Sequence, residues 1–155
     1  RPLLLEFSPI VQKVSEASGG ELKPEIIWDT FVKEFIEVTG EYELVDYKVR
    51  SVDDGQEQCT ATIRVGDNSI DVTGIGSGPI DAFVAAMVQT LNEPLNVMDY
   101  QEYSLNEGSE AQAICILSIS DDAQNKFYGV GISQNTTTAA FKSIIAAINR
   151  RWKTA

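Results

Sequence analysis

The segment Gly74–Pro79 is the part of the sequence best suited to binding a small charged molecule. It places three glycines between a predicted strand and a predicted helix, with Asp81 in the first helical turn. Glycines let a ligand approach the backbone, and free N–H groups at a helix start favour a carboxylate or a phosphate. The glycine spacing falls short of the dinucleotide fingerprint and Pro79 lacks an N–H group, so the pattern gives little support for a nucleotide cofactor. A glycine turn with a structural role alone is the alternative.

Asp81 and two tyrosines each have two interpretations. The Asp81 carboxylate could face the ammonium group of a zwitterionic ligand, or it could be an exposed charge that suits the positive end of the helix dipole. Tyr100 and Tyr103 could line a pocket or pack in a core or interface. Because they are three residues apart on a predicted strand, they lie on opposite faces, and at most one can line any one pocket. The run 135–138 before the last helix is explained by helix capping.

The sequence contains no histidine, which excludes Ser-His-Asp and Cys-His catalysis and histidine-ligated metal sites within this chain. Cys59 and Cys115 are far apart without CxxC spacing, and each lies in a strand-like run. Core thiols are the favoured interpretation, with a disulfide or redox pair as the alternative. No pattern combines a nucleophile with its base or assembles a metal shell. The residues therefore predict a binding or regulatory module with no catalytic residues.

Composition supports a folded domain with no affinity for polyanions. The 155 residues are 43% hydrophobic and 23% charged, which is typical of a globular protein. The formal net charge of −11 argues against nucleic acid or an anionic membrane as the partner. No apolar run approaches the roughly 20 residues of a membrane span, and no signal peptide is visible, so we expect a cytoplasmic protein. Because the chain begins with Arg1 and not with Met, we expect it to be part of a longer protein.

Residues 1–39 are predicted to be helical. Ser8 followed by Pro9 predicts a helix start, with the serine as N-cap and the proline in the first turn. Gly19-Gly20 ends that helix, and Pro24 begins another. Two short helices contain too little apolar sequence to form a core of their own. We therefore expect them to pack on a part of the protein that lies outside this chain.

The rest of the chain changes to a strand pattern and contains an internal repeat. Residues 41–93 and 97–152 each show the pattern strand-strand-strand-helix, and a Gly-x-Gly motif ends the third strand of each unit. Each helix has one apolar face, formed by Ile80, Phe83, Val84, Met87 and Leu91 in the first unit and by Phe141, Ile144, Ile145, Ile148 and Trp152 in the second. The predicted fold is a sandwich-like α+β domain of two three-stranded sheets, each with one helix.

Three stretches of this sequence resemble the 2-isopropylmalate synthase family. The N-terminal motifs are similar to the segment that joins the family's catalytic and regulatory parts; they are Glu6-Phe7-Ser8-Pro9-Ile10-Val11-Gln12, Gly19-Gly20-Glu21-Leu22-Lys23-Pro24 and Ile27-Trp28-Asp29. The stretch Gly74-Ile75-Gly76-Ser77-Gly78-Pro79-Ile80-Asp81-Ala82-Phe83 resembles the motif that opens the first regulatory helix. The motifs similar to the closing part of that domain are Gly129-Val130-Gly131-Ile132, Thr137-Thr138-Ala139-Ala140 and Ala147-Ile148-Asn149-Arg150.

The resemblance implies a parent enzyme that condenses acetyl-CoA with 3-methyl-2-oxobutanoate in leucine biosynthesis. In the family this chemistry takes place in an N-terminal barrel that uses a divalent metal. This chain would lack the barrel and would need no cofactor. Residues 1–39 would be the end of the linker, and residues 40–155 would be the feedback-regulatory domain. The implied partners are L-leucine, a second copy of the chain and the catalytic domain of the same polypeptide.

The family's leucine pocket can be carried onto this sequence residue by residue. Ser77 stands where asparagine is commoner, and Ser104 stands where a smaller apolar residue can occur. Val97 shares a face with Tyr100 only if its strand bends or starts late. The implied leucine-binding residues are Ser77, Gly78, Pro79, Ile80, Asp81, Val97, Tyr100, Ser104, Ala111, Ala113 and Ile132. Two alternatives remain open, an isoleucine-sensing domain of citramalate synthase and a dimerisation module with no ligand.

Overall fold

The computed structural model describes residues 2–104, 108 and 111–154. Its N-terminal part, here called the linker, contains the helices α1 (Pro2–Ala17) and α2 (Pro24–Phe31), and α2 continues into a π-helical segment, Val32–Ile36. The two glycines after α1 have φ angles of 86° and 132°, a region of backbone conformation that favours glycine. The predicted start of the second helix at Pro24 is confirmed.

Helix α1 begins earlier than the sequence predicts. The expected start at Ser8 and Pro9 is wrong, because the helix runs from Pro2 with Pro9 inside it. A proline in a helix interior removes one backbone hydrogen bond. The turn before Pro9 nevertheless brings Phe7 and Leu3 into an apolar cluster with the rest of the linker. We attribute the uninterrupted helix to this burial, which outweighs the local start signal.

The remaining chain forms two strand-strand-strand-helix units. The first contains β1 (Tyr42–Ser51), β2 (Glu57–Val65), β3 (Asn68–Gly76) and α3 (Pro79–Leu91). The second contains β4 (Asn96–Ser104), β5 (Ala113–Ser120), β6 (Lys126–Ser133) and α4 (Thr136–Thr154). Each unit is a separate antiparallel sheet, in the strand orders β1-β2-β3 and β4-β5-β6. The predicted α+β fold and its repeat are confirmed. The sequence Asn106-Glu107-Gly108 predicts a turn at the end of the first strand of the second unit, and its residues 106 and 107 lie outside the described part of the chain.

One apolar core joins the two units. Alternate residues of β2 and β5 face it, and Phe83 of α3 stacks on Phe141 of α4 with ring centroids 4.2 Å apart. The predicted apolar faces of both helices lie in this core, except that the Trp152 side chain is outside the described residues. Cys59 and Cys115 are buried thiols of the same core, and burial raises the pKa of Cys59 to about 11. The core-thiol interpretation is confirmed.

The Gly-x-Gly motifs allow each helix to pack directly on the third strand of its unit. A Cβ atom at Gly74 would overlap the backbone of α3, and a Cβ atom at Gly129 would overlap the backbone of α4. Gly76 and Gly131 are equally close to the same two helices. Helix packing is therefore sufficient reason for the first two glycines of the Gly74–Pro79 segment, independently of any ligand.

The linker covers the outer face of the second sheet. Its aromatic side chains, Phe7, Phe31 and Phe35, contact one another at centroid distances of 5.1–5.7 Å. They form an apolar cluster with Tyr128 and Val130 of β6, together with residues of β5 that face away from the central core. The expectation that the linker helices pack on a part of the protein outside this chain is therefore wrong, because their aromatic residues are buried against β5 and β6 of the same chain.

Candidate functional site

The start of α3 lacks a side-chain cap. Gly78 is the N-cap residue, and a Cβ atom built on it would meet no atom within 4 Å. Pro79 occupies the first turn, and the exposed Asp81 follows it. Ser77 Oγ donates a hydrogen bond to Asp81 Oδ2 at 2.6 Å, which gives the serine a definite role in orienting the carboxylate. The N–H groups of this first turn and an oriented carboxylate suit the two charges of an amino acid.

The start of α4 occupies the equivalent position in the second unit, and side chains of this chain cover its backbone N–H groups. Asn135 Oδ1 accepts a hydrogen bond from the Thr138 backbone N–H at 3.0 Å, which is a helix cap. The hydroxyl of Tyr47, from β1, lies 2.6 Å from Thr138 Oγ1 and 3.4 Å from Asn135 Oδ1. A strand of the first unit thus covers the start of the helix of the second unit. The corresponding place at α3 has no such cap.

Strand β4 contains the bend that the pocket residues require. Its pairing with β5 shifts between Val97 and Asp99, so that Val97 lies opposite Ile119 and Tyr100 lies opposite Leu117. Directly paired residues in an antiparallel sheet share a face. The irregularity therefore puts Val97 and Tyr100 on the core-facing side of the sheet, which was the condition set by the sequence.

Four of the predicted site residues share that face: Val97, Tyr100, Ser104 and Ala113. Ala111 lies just before β5, and its N–H donates to the carbonyl of Gly108 at 3.1 Å. Ile132 does not join the group, because it pairs with Ile114, which packs on the opposite face with the linker cluster. The predicted residues thus fall into a loop group at 77–81, a sheet group on β4 and β5, and the separate Ile132.

Tyr100 is a neutral hydrogen-bond donor on this face. Burial, with the nearby Cys115 thiol and Glu102 carboxylate, raises the pKa of Tyr100 to about 12. Its hydroxyl donates to Glu102 Oε2 at 3.1 Å. Glu102 lies between Tyr100 and Ser104 on the same face, since it pairs with the core residue Cys115. Glu102 is not among the site residues predicted from the sequence, although the strand alternation of residues 100, 102 and 104 puts it on the same face.

Strand β4 lies at the edge of its sheet, and large side chains on both of its faces are exposed. Met98, Tyr100 and Tyr103 are 57%, 41% and 52% exposed, and β4 has a hydrogen-bonded neighbour on one side alone, β5. As predicted, the two tyrosines lie on opposite faces, because Tyr103 pairs with Ile114. An uncovered edge with large apolar side chains is a surface for another chain.

The outer face of β4 is held by a polar cluster around Asp99. Asp99 Oδ2 accepts hydrogen bonds from Ser118 Oγ at 3.0 Å and Tyr128 Oη at 2.9 Å, and Lys126 Nζ lies 2.6 Å away. The hydrogen bond from Lys126, with those from Tyr128 and Ser118, lowers the pKa of the Asp99 carboxyl. These contacts hold β4 next to the shift in β4–β5 pairing that brings Val97 to the inner face of the sheet.

The chain matches the model of the LeuA allosteric (dimerisation) domain over residues 21–152. It belongs to that family. Among curated relatives, the 2-isopropylmalate synthase of Thermobifida fusca is 37% identical over 150 residues, which are 97% of this chain and 26% of the relative. The enzymes of Mycobacterium leprae and Clostridium acetobutylicum are 33% and 34% identical, over 97% and 94% of this chain and 25% and 27% of theirs. The chain thus spans about a quarter of the length of these relatives.

In residues 2–104, 108 and 111–154, no three His, Cys, Asp or Glu side chains are grouped so that they could hold a metal ion. Within the same part of the chain, no helix is long and apolar enough to cross a membrane.

Proposed function

We propose that this domain binds L-leucine and forms a homodimer, and that it regulates a 2-isopropylmalate synthase to which it belongs. The observation that carries the proposal is the difference between two strand-and-helix pairs, β1 with α4 and β4 with α3. The start of α4 and the strand β1 are covered by residues of this chain, whereas the described residues leave the start of α3 and the strand β4 exposed. A bound leucine and a second copy of the chain would cover the start of α3 and the strand β4.

The headgroup of leucine would bind at the start of α3. The backbone N–H groups of Ile80 and Asp81 lie in the first turn, where the positive end of the helix dipole favours a carboxylate. The Asp81 carboxylate, oriented by Ser77, would accept hydrogen bonds from the ammonium group. Gly78 leaves this approach open because it has no side chain.

The isobutyl group would lie against Ile80 and the inner face of β4 and β5. Val97, Ala111 and Ala113 offer small apolar surfaces there, and Tyr100, Glu102 and Ser104 form the polar border. Burying such a group contributes about 2–3 kcal/mol. A difference of one methyl position discriminates between ligands by about 1–3 kcal/mol, so the alanines would set the preference for leucine over valine or isoleucine. Ile132 is left out of this pocket, since it faces the linker.

The contacts of β1 with α4 support a pocket that combines the loop group at 77–81 with the sheet group on β4 and β5. β1 runs along α4 so that Tyr42 contacts Asn149 near the end of the helix and Tyr47 contacts its start. The same arrangement of β4 along α3 would set Tyr100 and Ser104 toward the start of α3. The pocket would therefore lie between α3 and β4, beside the exposed edge that the second copy would cover.

Regulation would follow from leucine binding at a subunit contact. A ligand biases two arrangements of a dimer only by its different affinity for each, and so it would inhibit the parent enzyme if the inactive arrangement binds leucine better. The parent would condense acetyl-CoA with 3-methyl-2-oxobutanoate in a separate catalytic domain that holds a divalent metal. This chain would contribute no catalytic residue.

Two alternatives make different predictions. The regulatory domain of a citramalate synthase would bind isoleucine, and the names of the relatives favour leucine over it. A dimerisation module without a ligand would bind neither. Both are distinguished from our proposal by titration calorimetry of this chain with L-leucine, L-isoleucine and L-valine. We expect saturable heat with leucine and weak heat with the others; a preference for isoleucine, or no heat from a folded dimer, would contradict the proposal.

The headgroup assignment can be tested with a matched pair of variants. Asp81→Asn removes the charge proposed to meet the ammonium group, and a charged hydrogen bond of about 1.5–3 kcal/mol corresponds to about tenfold or more in Kd. Asp71→Asn is the control, because Asp71 is also an exposed aspartate that accepts a hydroxyl hydrogen bond, from Thr62 at 2.8 Å. Calorimetry should show weaker leucine binding in the first variant alone. If 4-methylpentanoate, which lacks the amine, loses as much affinity as leucine, Asp81 acts through the helix and not through the ammonium group.

A further inference from the structure

Three consecutive residues near the end of α4 hold three different parts of the chain. Asn149 exchanges hydrogen bonds with the backbone of Tyr42, at 3.1 Å and 2.8 Å, and so fixes the first residue of β1. Arg151 Nε donates to Asp121 Oδ2 at 3.0 Å, and Arg151 Nη2 donates to Glu93 Oε1 at 3.1 Å. Glu93 lies in the short connection between α3 and β4. The same helical turn therefore holds the start of β1 and the connection that leads into β4.

Arg150, between these two residues, holds the linker. Its Nε donates to Glu34 Oε2 at 3.0 Å, and its guanidinium carbon lies 4.3 Å from the centre of the Phe35 ring. Nη1 donates to the backbone carbonyl of Tyr128 at 3.0 Å. The arginine is 5% exposed and Phe35 is fully buried. It thus joins the π-helical segment of the linker to β6, the last strand of the second sheet.

The chemistry of this contact makes it specific to arginine. A guanidinium offers several N–H donors in one plane and stacks on aromatic rings, while a lysine ammonium is a point charge without a planar face. Because the group is buried, removing one partner leaves a charge or a polar group without compensation. The linker is consequently attached by a contact that is either fully formed or strongly disfavoured.

We propose that Arg150 is the positioning residue that orients the linker on the regulatory domain, and that it carries the state of β4 to the linker. Arg151 reaches the segment before β4, and Arg150 reaches the linker from the next position of the same helix. A shift of β4 that displaces Glu93 therefore acts on the turn that holds Glu34. The second half of this inference rests on the proposed function, because leucine is the agent that would shift β4.

Hydrogen exchange of the whole chain tests the positioning role without any ligand. The Glu34 side chain is mostly buried in its contact with Arg150. In Glu34→Gln we expect the amides of residues 26–36 to exchange about tenfold faster, whereas the exchange of the amides of β2 and β5 is unchanged. Arg150→Gln should do the same, and Arg150→Lys should restore part of the protection. The control is Arg64→Gln, which breaks the exposed pair of Arg64 with Glu43. Unchanged exchange at 26–36 in Glu34→Gln, or a uniform increase throughout the chain, would overturn the proposal.

Addition of L-leucine tests the transmission. In the wild-type chain we expect leucine to change exchange at residues 96–104 and also at residues 26–36, and in Glu34→Gln we expect the change at 96–104 without the change at 26–36. A leucine effect at 26–36 that persists in Glu34→Gln would overturn the role of Arg150, as would an effect at 96–104 that never reaches the linker. If leucine changes nothing in the wild-type chain, the proposed function and the transmission both fail, and the ligand-free comparison still decides the positioning role.

Discussion

The first strands of the two units have the same topology and different surroundings. In β1, Tyr42, Leu44, Tyr47 and Val49 are partly buried against the central core, and Tyr47 reaches the start of α4. In β4, nearly every residue is exposed, including large apolar side chains. Both are edge strands of three-stranded antiparallel sheets. The pair formed by β1 and α4 is therefore covered, whereas the corresponding pair formed by β4 and α3 is open, and the open pair is where we propose that a ligand and a second copy bind.

The largest expected effect tests whether the core reflects this asymmetry. Phe83 and Phe141 stack on each other, but Phe141 also contacts Tyr47 of β1 at a centroid distance of 4.7 Å. Replacing a buried phenylalanine by alanine costs about 3–5 kcal/mol, and an aromatic pair adds about 0.5–1.5 kcal/mol. Phe141→Ala should thus lower the free energy of unfolding more than Phe83→Ala does. Urea denaturation of both variants measures the difference; equal losses would mean that β1 adds nothing to the core.

The second prediction concerns self-association through β4. Tyr103→Lys places a charge on the exposed edge, and a residue central to an interface contributes about 2 kcal/mol or more, or roughly 30-fold in Kd. Ile75→Lys is the matched control, because Ile75 is 50% exposed on β3 and Tyr103 is 52% exposed on β4. Sedimentation equilibrium should show weaker dimers for the first variant alone. Loss of the dimer in Ile75→Lys instead would move the interface to the first sheet.

The third prediction compares the two helix starts. Asn135 caps α4 through its side chain, so that Asn135→Ala should cost about 1 kcal/mol of stability. Gly78 has open space beside it and a φ of −163° that other residues adopt easily. Alanine is a poorer N-cap residue than glycine, but it also lowers the conformational entropy of the unfolded chain. Because these two effects oppose each other, Gly78→Ala should change the free energy of unfolding by less than about 0.5 kcal/mol. Thermal unfolding without ligand measures both. A large loss in Gly78→Ala would show that this glycine is needed for folding and would weaken its assignment to ligand access.

The smallest expected effect is a change in the pH dependence of the unfolding free energy, caused by Asp99 of the second sheet. Lys126, Tyr128 and Ser118 hold the pKa of Asp99 below its ordinary value, so that the folded state binds this proton less readily than the unfolded chain does. The resulting stabilisation is present above the unfolded aspartate pKa of about 3.9 and is lost as the pH falls through the lower folded value. In Asp99→Asn and Lys126→Met, unfolding free energy should fall less steeply below about pH 4 than in the wild-type chain. An unchanged slope in both variants would contradict this role.

Much of the fold could be predicted because local pattern and tertiary packing agree in most elements. The apolar faces of α3 and α4 and the alternation in β2 each indicate the side that is buried. The start of α1 could not be predicted, because the Ser8-Pro9 signal is local whereas the burial of Phe7 depends on distant aromatic residues. Long-range contacts of this kind leave no mark in the neighbouring sequence.

The candidate site was predictable in part for the same reason. The strand alternation correctly separated Tyr100 from Tyr103, and it left the position of Val97 dependent on a bend that the β4–β5 pairing then supplies. It could not reveal that Ile132 faces the linker, since that depends on the register of β6 against β5. Nor could it indicate that Arg150 is buried, because a basic residue near a helix end is ordinarily explained by the helix dipole.

The open character of the pair formed by α3 and β4 is tested most directly by hydrogen exchange of the whole chain with and without L-leucine, comparing β1 with β4. We predict that leucine slows the exchange of amides 80–82 and 96–104, at the start of α3 and along β4, while amides 42–51 of β1 are unaffected. Protection of β1 in place of β4, or of neither segment when leucine is saturating, would contradict the account.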